Sequence, residues 1–303
     1  MSAKLEGARA AADASSGVDR ADREASAREA ASAHVRSEAR AEALDRRGRT
    51  TVGASSFRVC GVVPTYDNPQ TIERVSLALQ AALADAGVPS PEVFVVDDGG
   101  GSAAKEALSR LAVAPGVHVV VRARNGGKGA AVKDGLRAAW EHGFTHALQV
   151  DADGQHELAD VAALLEAARS EPRALVLGEP RFDASAPTHR RVLRNVSVFW
   201  VRVATALDAG RIADPMCGFR VYPLAPSVRV MDRCGDRMDF DPEIAVRLVW
   251  EGCPVANVPT RVRYVGADEG GVSHYRAVHD NVLVSLLYGR LVMLRLLGMR
   301  DQL

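Results

Sequence analysis

The sequence predicts an α/β protein, a mostly parallel, Rossmann-like sheet flanked by helices. Three observations predict it. Short valine-rich runs, such as Val59-Cys60-Gly61-Val62-Val63 and Val93-Phe94-Val95-Val96, have the length of buried strands. Longer segments with helical apolar spacing alternate with them, an order that right-handed crossovers turn into a parallel sheet. Each of the first four runs ends in polar or glycine-rich residues, where ligands collect at the carboxyl edge of such a sheet.

The elements follow in order. Residues 1–52 are dominated by Ala, Arg, Glu, Asp and Ser. They hold too little apolar surface to offset the entropy of ordering and read as a disordered tail without chemistry. The first strand, Val59 to Val63, is stopped by Pro64. Pro69 to Ala86 reads as an amphipathic helix closed by Gly87, with Asp67 or Asn68 as its cap. Val93 to Val96 is the second strand, and a helix through Leu108 leads to the third, Val117 to Val121. A helix running from the glycines around Lys128 to about His142 leads to the fourth, Ala147 to Val150. A helix to about Ser170 and a strand from Ala174 to Gly178 complete the sheet. Beyond it, Val196 to Leu207 is apolar and broken by Arg202, while Val255 to Val258 and Arg261 to Tyr264 read as late strands. Residues 53–274 thus make one domain, and 275–303 an amphipathic C-terminal helix facing an acceptor or a membrane.

The sharpest chemistry lies in Val150-Asp151-Ala152-Asp153-Gly154-Gln155. If the chain stays extended past Val150, side chains alternate, and Asp151, Asp153 and Gln155 share one face. Three oxygen donors suit a hard divalent ion, Mg2+ or Mn2+, which keeps the rest of its shell for water and substrate phosphates. The other strand ends suit a nucleotide. After Pro64 and Thr65, Tyr66 can stack on a base, and Asp67 or Asn68 can bond its edge. Asp97 and Asp98 can accept a base N–H and ribose hydroxyls. Gly126, Gly127 and Gly129 let backbone N–H groups approach phosphate at a helix N-terminus, and Lys128 adds a point charge. Singly, each loop is also an ordinary turn or cap. Gathered on one sheet edge, the four point to nucleotide binding.

Composition narrows the field. The 303 residues carry 47% apolar and 25% charged side chains, as in a globular protein, with a formal net charge of zero. That balance argues against nucleic acid as a partner. Cys60, Cys217, Cys234 and Cys253 lie far apart with no C-x-x-C pair, which indicates neither zinc nor a redox dithiol. The first residues lack the apolar core of a signal peptide, and no uncharged run is long enough to span a bilayer. The expected place is cytoplasmic, with peripheral contact at the cytoplasmic face of the membrane.

On these residues the chain resembles a known family. Val62-Val63-Pro64-Thr65-Tyr66, Val96-Asp97-Asp98-Gly99, Asn125-Gly126-Gly127-Lys128-Gly129 and Asp151-Ala152-Asp153-Gly154-Gln155-His156 look like the ordered motifs of family 2 glycosyltransferases. Asp214-Pro215-Met216-Cys217-Gly218-Phe219-Arg220 and Phe240-Asp241-Pro242-Glu243 extend the match, which runs from about Arg58 to Met299. The subgroup most similar is the dolichol-phosphate mannosyltransferase-like one. Met238-Asp239-Phe240-Asp241 with Gly271-Val272-Ser273-His274-Tyr275 is especially like bacterial members associated with aryl-polyene lipid biosynthesis. Departures are Asp67-Asn68 for the family's frequent Asn-Glu, the stretched Asp97-Asp98-Gly99-Gly100-Gly101-Ser102, and His274 where polyprenyl-phosphate enzymes tend to carry Lys. The resemblance implies a GT-A fold, a nucleotide-diphospho-sugar donor, a divalent metal and inversion at the sugar carbon. The rival readings are a sugar-phosphate nucleotidyltransferase and a non-catalytic nucleotide-sugar binding module.

The second half supplies the acceptor side. His189-Arg190-Arg191 and Arg194 precede an apolar helix, a pattern suited to an anionic lipid head or a membrane surface. Arg181 and Arg191 fall where related enzymes place acceptor-phosphate arginines, and Arg220 joins them as a candidate. Gly266 to Gly271 reads as a lid over which Ser273, His274 and Arg276 would close on diphosphate or acceptor. Asp241 before Pro242 reads as a helix N-cap, Glu243 matches a family acid and Asp239 can project into the cleft. A hydroxyl acceptor needs a general base, for which Asp241 or Asp239 is the candidate. An ionised phosphate needs much less help.

Overall fold

The computed structural model describes residues 57–181, 197–206, 208, 210–262 and 277–298. The chain divides into two units, Met1–Val52 and Gly53–Leu303, and every described residue belongs to the second. The proposed tail, the basic cluster around Arg191, the lid, and Ser273, His274 and Arg276 all lie outside the described residues.

A seven-stranded sheet runs in the order β3-β2-β1-β4-β6-β5-β7. Its strands are β1 (Val59–Thr65), β2 (Val93–Asp97), β3 (Val117–Val121), β4 (His146–Gln149), β5 (Leu175–Arg181), β6 (Arg220–Pro223) and β7 (Val255–Arg261). The helices are α1 (Ile72–Asp85), α2 (Ser102–Leu111), α3 (Lys128–Glu141), α4 (Val161–Ser170), α5 (Leu224–Val230), α6 (Phe240–Trp250) and α7 (Ala277–Leu296). A further helical stretch covers 197–204. Strands β1 to β4 pair parallel, as the alternation of elements requires, and β5 pairs parallel with β7. Only β6 is antiparallel, wedged between β4 and β5.

Burial follows the apolar spacing. Helix α1 buries Ile72, Val75, Leu79 and Leu83, and α4 buries Val161, Leu164, Leu165 and Ala168, each a single helical stripe. Both stripes lie on Val63, Val95, Leu148 and Val176 from one sheet face, in one core cluster. Each buried Val, Leu or Ile side chain contributes about 1.5–3 kcal/mol. Among the described residues, no helix is long and apolar enough to cross a membrane.

Several expectations are corrected. Pro64 does not stop β1, which continues to Thr65 with Pro64 opposite Val96, because proline's missing N–H removes only one side of the ladder. Helix α1 starts at Ile72, not Pro69, after a turn in which the Asn68 carbonyl accepts from the N–H groups of Thr71 and Ile72. The first late strand extends from Val255 to Arg261 as β7, and Val262 forms an isolated bridge to His156, while residues 263 and 264 of the second expected strand lie outside the described residues. Strand β6 and helix α5 were not expected. Four residues are too short for a period, and Pro223 and Pro226 punctuate them.

Candidate active site

The carboxyl ends of β1, β2 and β4 lie side by side. Past Val150 the chain does not stay extended. It turns over Ala152 and Asp153, so the shared face expected for Asp151, Asp153 and Gln155 is not formed by strand alternation. The turn is held locally. Asp153 Oδ1 accepts from the Gln155 N–H at 3.0 Å, Gly154 has φ 72°, and Thr71 Oγ1 donates to the Ala152 carbonyl at 2.7 Å. Among the described residues no group of three His, Cys, Asp or Glu side chains is arranged to hold a metal ion.

Lys128, the first residue of α3, is the hub. Its Nζ lies 2.8 Å from Asp151 and 2.7 Å from Asp241. Burial would lower its pKa, but the two carboxylates outweigh burial and raise it, so the ammonium stays charged. Asp151 is correspondingly lowered. Burial opposes this, but the charge of Lys128 prevails, with a bond from Gln149 Nε2 at 3.3 Å. Gln149 is in turn fixed by the Tyr222 hydroxyl at 2.9 Å. Asp153 goes the other way, raised by burial and by repulsion from Asp151. Behind Asp151 sits Gly218, where a Cβ would come within 2.2 Å of Asp151 Oδ2, so no larger residue fits there without displacing the carboxylate.

The glycine loop is organised differently from the expectation. Asp98, 2% exposed, accepts from the N–H groups of Gly126 at 2.9 Å and Gly127 at 2.7 Å, and pairs with Arg122 at 2.5 Å. Those N–H groups therefore serve the fold, and Asp98 anchors the loop instead of facing a nucleoside. Gly127 has φ 108° and packs against Asp236, whose carbonyl accepts from Ala130 N–H. Asp97 is fully buried and different. Its Oδ1 accepts from Gly100 N–H at 2.8 Å, while its Oδ2 has no partner. Asp67, with φ 51°, holds the same turn through Gly101 N–H at 2.6 Å, and Tyr66 beside it is 37% exposed.

The remaining candidates separate. Asp241 is not an N-cap. Helix α6 begins at Phe240 with Asp239 in the cap position, and Asp241 is 2% exposed, paired with Lys128 and 3.8 Å from Arg220. Glu243 is fully buried between Arg247 at 2.7 Å and the Gly235 N–H at 3.0 Å. Arg220 has no exposed surface. Its guanidinium donates to the carbonyls of Cys217, Pro215 and Asp241, so it supports the floor and cannot reach an acceptor. Asp239 is half-buried and accepts from Arg237 N–H at 3.1 Å. Arg181, at the end of β5, is exposed. Sequence reasoning missed Gln149, Tyr222 and Gly218 as supports of Asp151, and Arg122 as the clamp on Asp98. The one signal was a lone polar residue, Gln149, inside an apolar run.

The model of the family described as Glycosyl transferase family 2 matches residues 60–226. An undecaprenyl-phosphate mannosyltransferase from Micrococcus luteus is 33% identical over 181 residues, 58% of this chain and 70% of that protein. A polyprenol monophosphomannose synthase from Mycolicibacterium smegmatis is 31% identical over 112 residues, 36% of this chain and 40% of its own length. In structure, glucosyl-3-phosphoglycerate synthase from Mycobacterium tuberculosis, crystallised with Mn2+ and uridine-diphosphate-glucose, aligns with TM-score 0.55 at 19% identity, covering 82% of this chain and 80% of that one. With the family model spanning more than half of the residues, this chain is a glycosyltransferase of the GT-A fold and belongs to glycosyl transferase family 2.

Proposed function

We propose that this enzyme is an inverting, metal-dependent transferase that moves a sugar from a nucleotide-diphospho-sugar to a lipid-linked phosphate, as a peripheral protein at the cytoplasmic face of a membrane. One observation carries the donor side. The buried Asp97 Oδ2 lacks a partner at a strand end beside exposed Tyr66. A buried carboxylate oxygen left unpaired is costly, and a base or ribose donor from a stacked nucleoside relieves it. Lys128 then stands over the diphosphate with its charge secured. The donor of the structural relative, uridine-diphosphate-glucose, has the same build.

Asp151 and Asp153 fit a hard divalent ion. Two carboxylates share one turn, and the repulsion that raises Asp153 is the kind that a dication removes. Mg2+ or Mn2+ needs few protein ligands when waters and phosphates complete its shell. When bound, it would neutralise the leaving diphosphate. The acceptor side rests on relatives named for undecaprenyl phosphate and polyprenol monophosphate, which favour that class over aryl-polyene lipids. An ionised phosphate attacks without a general base, which agrees with Asp241 and Glu243 being locked in ion pairs. Asp239, Arg181 and the undescribed Arg191, Ser273, His274 and Arg276 are then groups for positioning the acceptor.

The test is product analysis with the full chain, a panel of nucleotide-diphospho-sugars and farnesyl phosphate, with Mn2+ and with chelator. The expected products are nucleoside diphosphate and glycosyl farnesyl phosphate of inverted anomeric configuration, formed only with metal. Release of pyrophosphate would point instead to a nucleotidyltransferase, and undiminished turnover in chelator would defeat the metal assignment.

A further inference from the structure

Three carboxylate oxygens crowd one ammonium. Lys128 Nζ lies 2.8 Å from Asp151 Oδ1, 2.9 Å from Asp151 Oδ2 and 2.7 Å from Asp241 Oδ2. An ammonium has three N–H bonds to give, so this one has none to spare for a phosphate oxygen. Both oxygens of Asp151 are in turn engaged by a cation. A divalent ion on that carboxylate would stand close against the ammonium, and like charges at such a distance repel strongly. The clamp is therefore at odds with a lysine on a diphosphate and with an ion on Asp151.

The packing around the clamp is tight. Gly129 meets the start of α6 so closely that a Cβ there would lie 2.5 Å from Phe240 Cβ, and that approach brings Asp241 onto Lys128. The two carboxylates are not equally able to release the lysine. Asp241 keeps 3% of its side chain exposed, and losing its partner would leave a buried charge with only Arg220, at 3.8 Å, to offset it. Asp151 keeps 25% exposed, and Gln149 Nε2, 3.3 Å from Oδ1, still holds it when the lysine leaves. A phosphate that draws on Lys128 thus takes it from Asp151 and leaves it on Asp241.

We infer that Lys128 couples the two ligands of the site: the diphosphate of a nucleotide pulls the ammonium off Asp151, which frees that carboxylate for a divalent ion. The inference rests on the nucleotide and metal readings above and adds what links them. Linkage makes the coupling reciprocal, so the ion favours the nucleotide by the same factor. Asp241 is the pivot on which the lysine turns.

Mn2+ binding to the full chain is followed by electron paramagnetic resonance, without nucleotide and with guanosine or uridine diphosphate. The wild type should bind Mn2+ about tenfold or more tightly with a nucleoside diphosphate than without. Contact between ion and phosphate gives such a rise with no part for Lys128, so the variants decide. Lys128→Met, without nucleotide, should bind Mn2+ about tenfold tighter than the wild type. Losing a cation also makes the cluster more negative, and Lys128→Met combined with Asp241→Asn controls for that. Asp151, Asp241 and Lys128 together carry one negative charge, and in the double variant Asp151 alone carries it. The double variant should keep the gain, whereas Asp241→Asn alone, with the ammonium still on Asp151, should show none. Cooperative unfolding verifies each fold, and the double variant, with one fewer uncompensated carboxylate, carries the test if Lys128→Met does not fold. Wild-type Mn2+ affinity in the double variant, or an equal gain in Asp241→Asn, would overturn the coupling and leave the metal reading intact. Mn2+ binding by no form, with or without nucleotide, would remove the metal reading and the coupling with it.

Discussion

Lys128 sets the electrostatics of the site at the scale of single residues. It is clamped by Asp151 and Asp241, which keep 25% and 3% of their side chains exposed. Replacing a cation in such a group leaves two carboxylates uncompensated. For a fully buried pair that costs about 3–5 kcal/mol. Asp151 retains some solvent and Arg220 stands near Asp241, so Lys128→Met should lower stability by about 2–3 kcal/mol, read as a shift in the urea midpoint. Adding Asp241→Asn should recover part of that loss, and strictly additive effects would contradict the coupling. The same clamp keeps the Asp241 carboxylate engaged with the lysine at 2.7 Å.

Strands and helices hand these residues their neighbours. Helix α3 starts at Lys128 because Gly127 takes φ 108° against Asp236, while Asp98 at the end of β2 grips the loop just before it. Strand β4 is fixed at its other end by His146, whose Nε2–H donates to the Pro172 carbonyl ahead of β5 at 2.8 Å. Burial drives its pKa down to about 4, against a raising effect of that carbonyl. A histidine so lowered is neutral in the fold and takes up a proton on unfolding. Its stabilisation is complete above about pH 6.5 and is lost as pH falls from there towards 4, by roughly 3 kcal/mol in all. Urea unfolding between pH 7.5 and 4.5 should show that decline, and His146→Gln should flatten it. An equal slope in the variant would assign the acid sensitivity to other groups.

At the scale of the whole molecule, the exposed large apolar side chains among the described residues concentrate on two elements. The stretch 197–204 offers Phe199, Trp200 and Val203, and α7 offers Leu286 and Met293, with Leu296 and Leu297 at its end. Arg295 of α7 pairs with Asp208, beyond the end of that stretch, at 3.0 Å. Among the described residues no helix is long and apolar enough to cross a membrane, and the peripheral membrane contact proposed above is tested on this exposed apolar face. Sedimentation with anionic phospholipid vesicles should pull the protein down. Phe199→Ser with Trp200→Ser should weaken that association at least tenfold, given about 1.5–3 kcal/mol per buried apolar side chain. Unchanged sedimentation would move the contact to another face.

Local rules were enough for the alternating strands and helices, the parallel order of β1 to β4, and the crowding of Asp97, Lys128 and Asp151 on one edge. Strand length, helical spacing and chain-order topology are all written in nearest neighbours and short periods. The folded chain alone decided what each polar residue does there. Asp98 became a loop anchor and Arg220 a buried brace, because their partners arrive from segments 20 or more residues away, whereas Glu243 and Arg247 are four residues apart in one helix and only the fold showed both to be buried. The antiparallel β6 and the turn after Val150 were equally hidden, since both depend on contacts with Tyr222, Gly218 and Thr71 that no local pattern announces. A charge's role follows from the groups that surround it after burial, and only the tertiary structure brings those groups together.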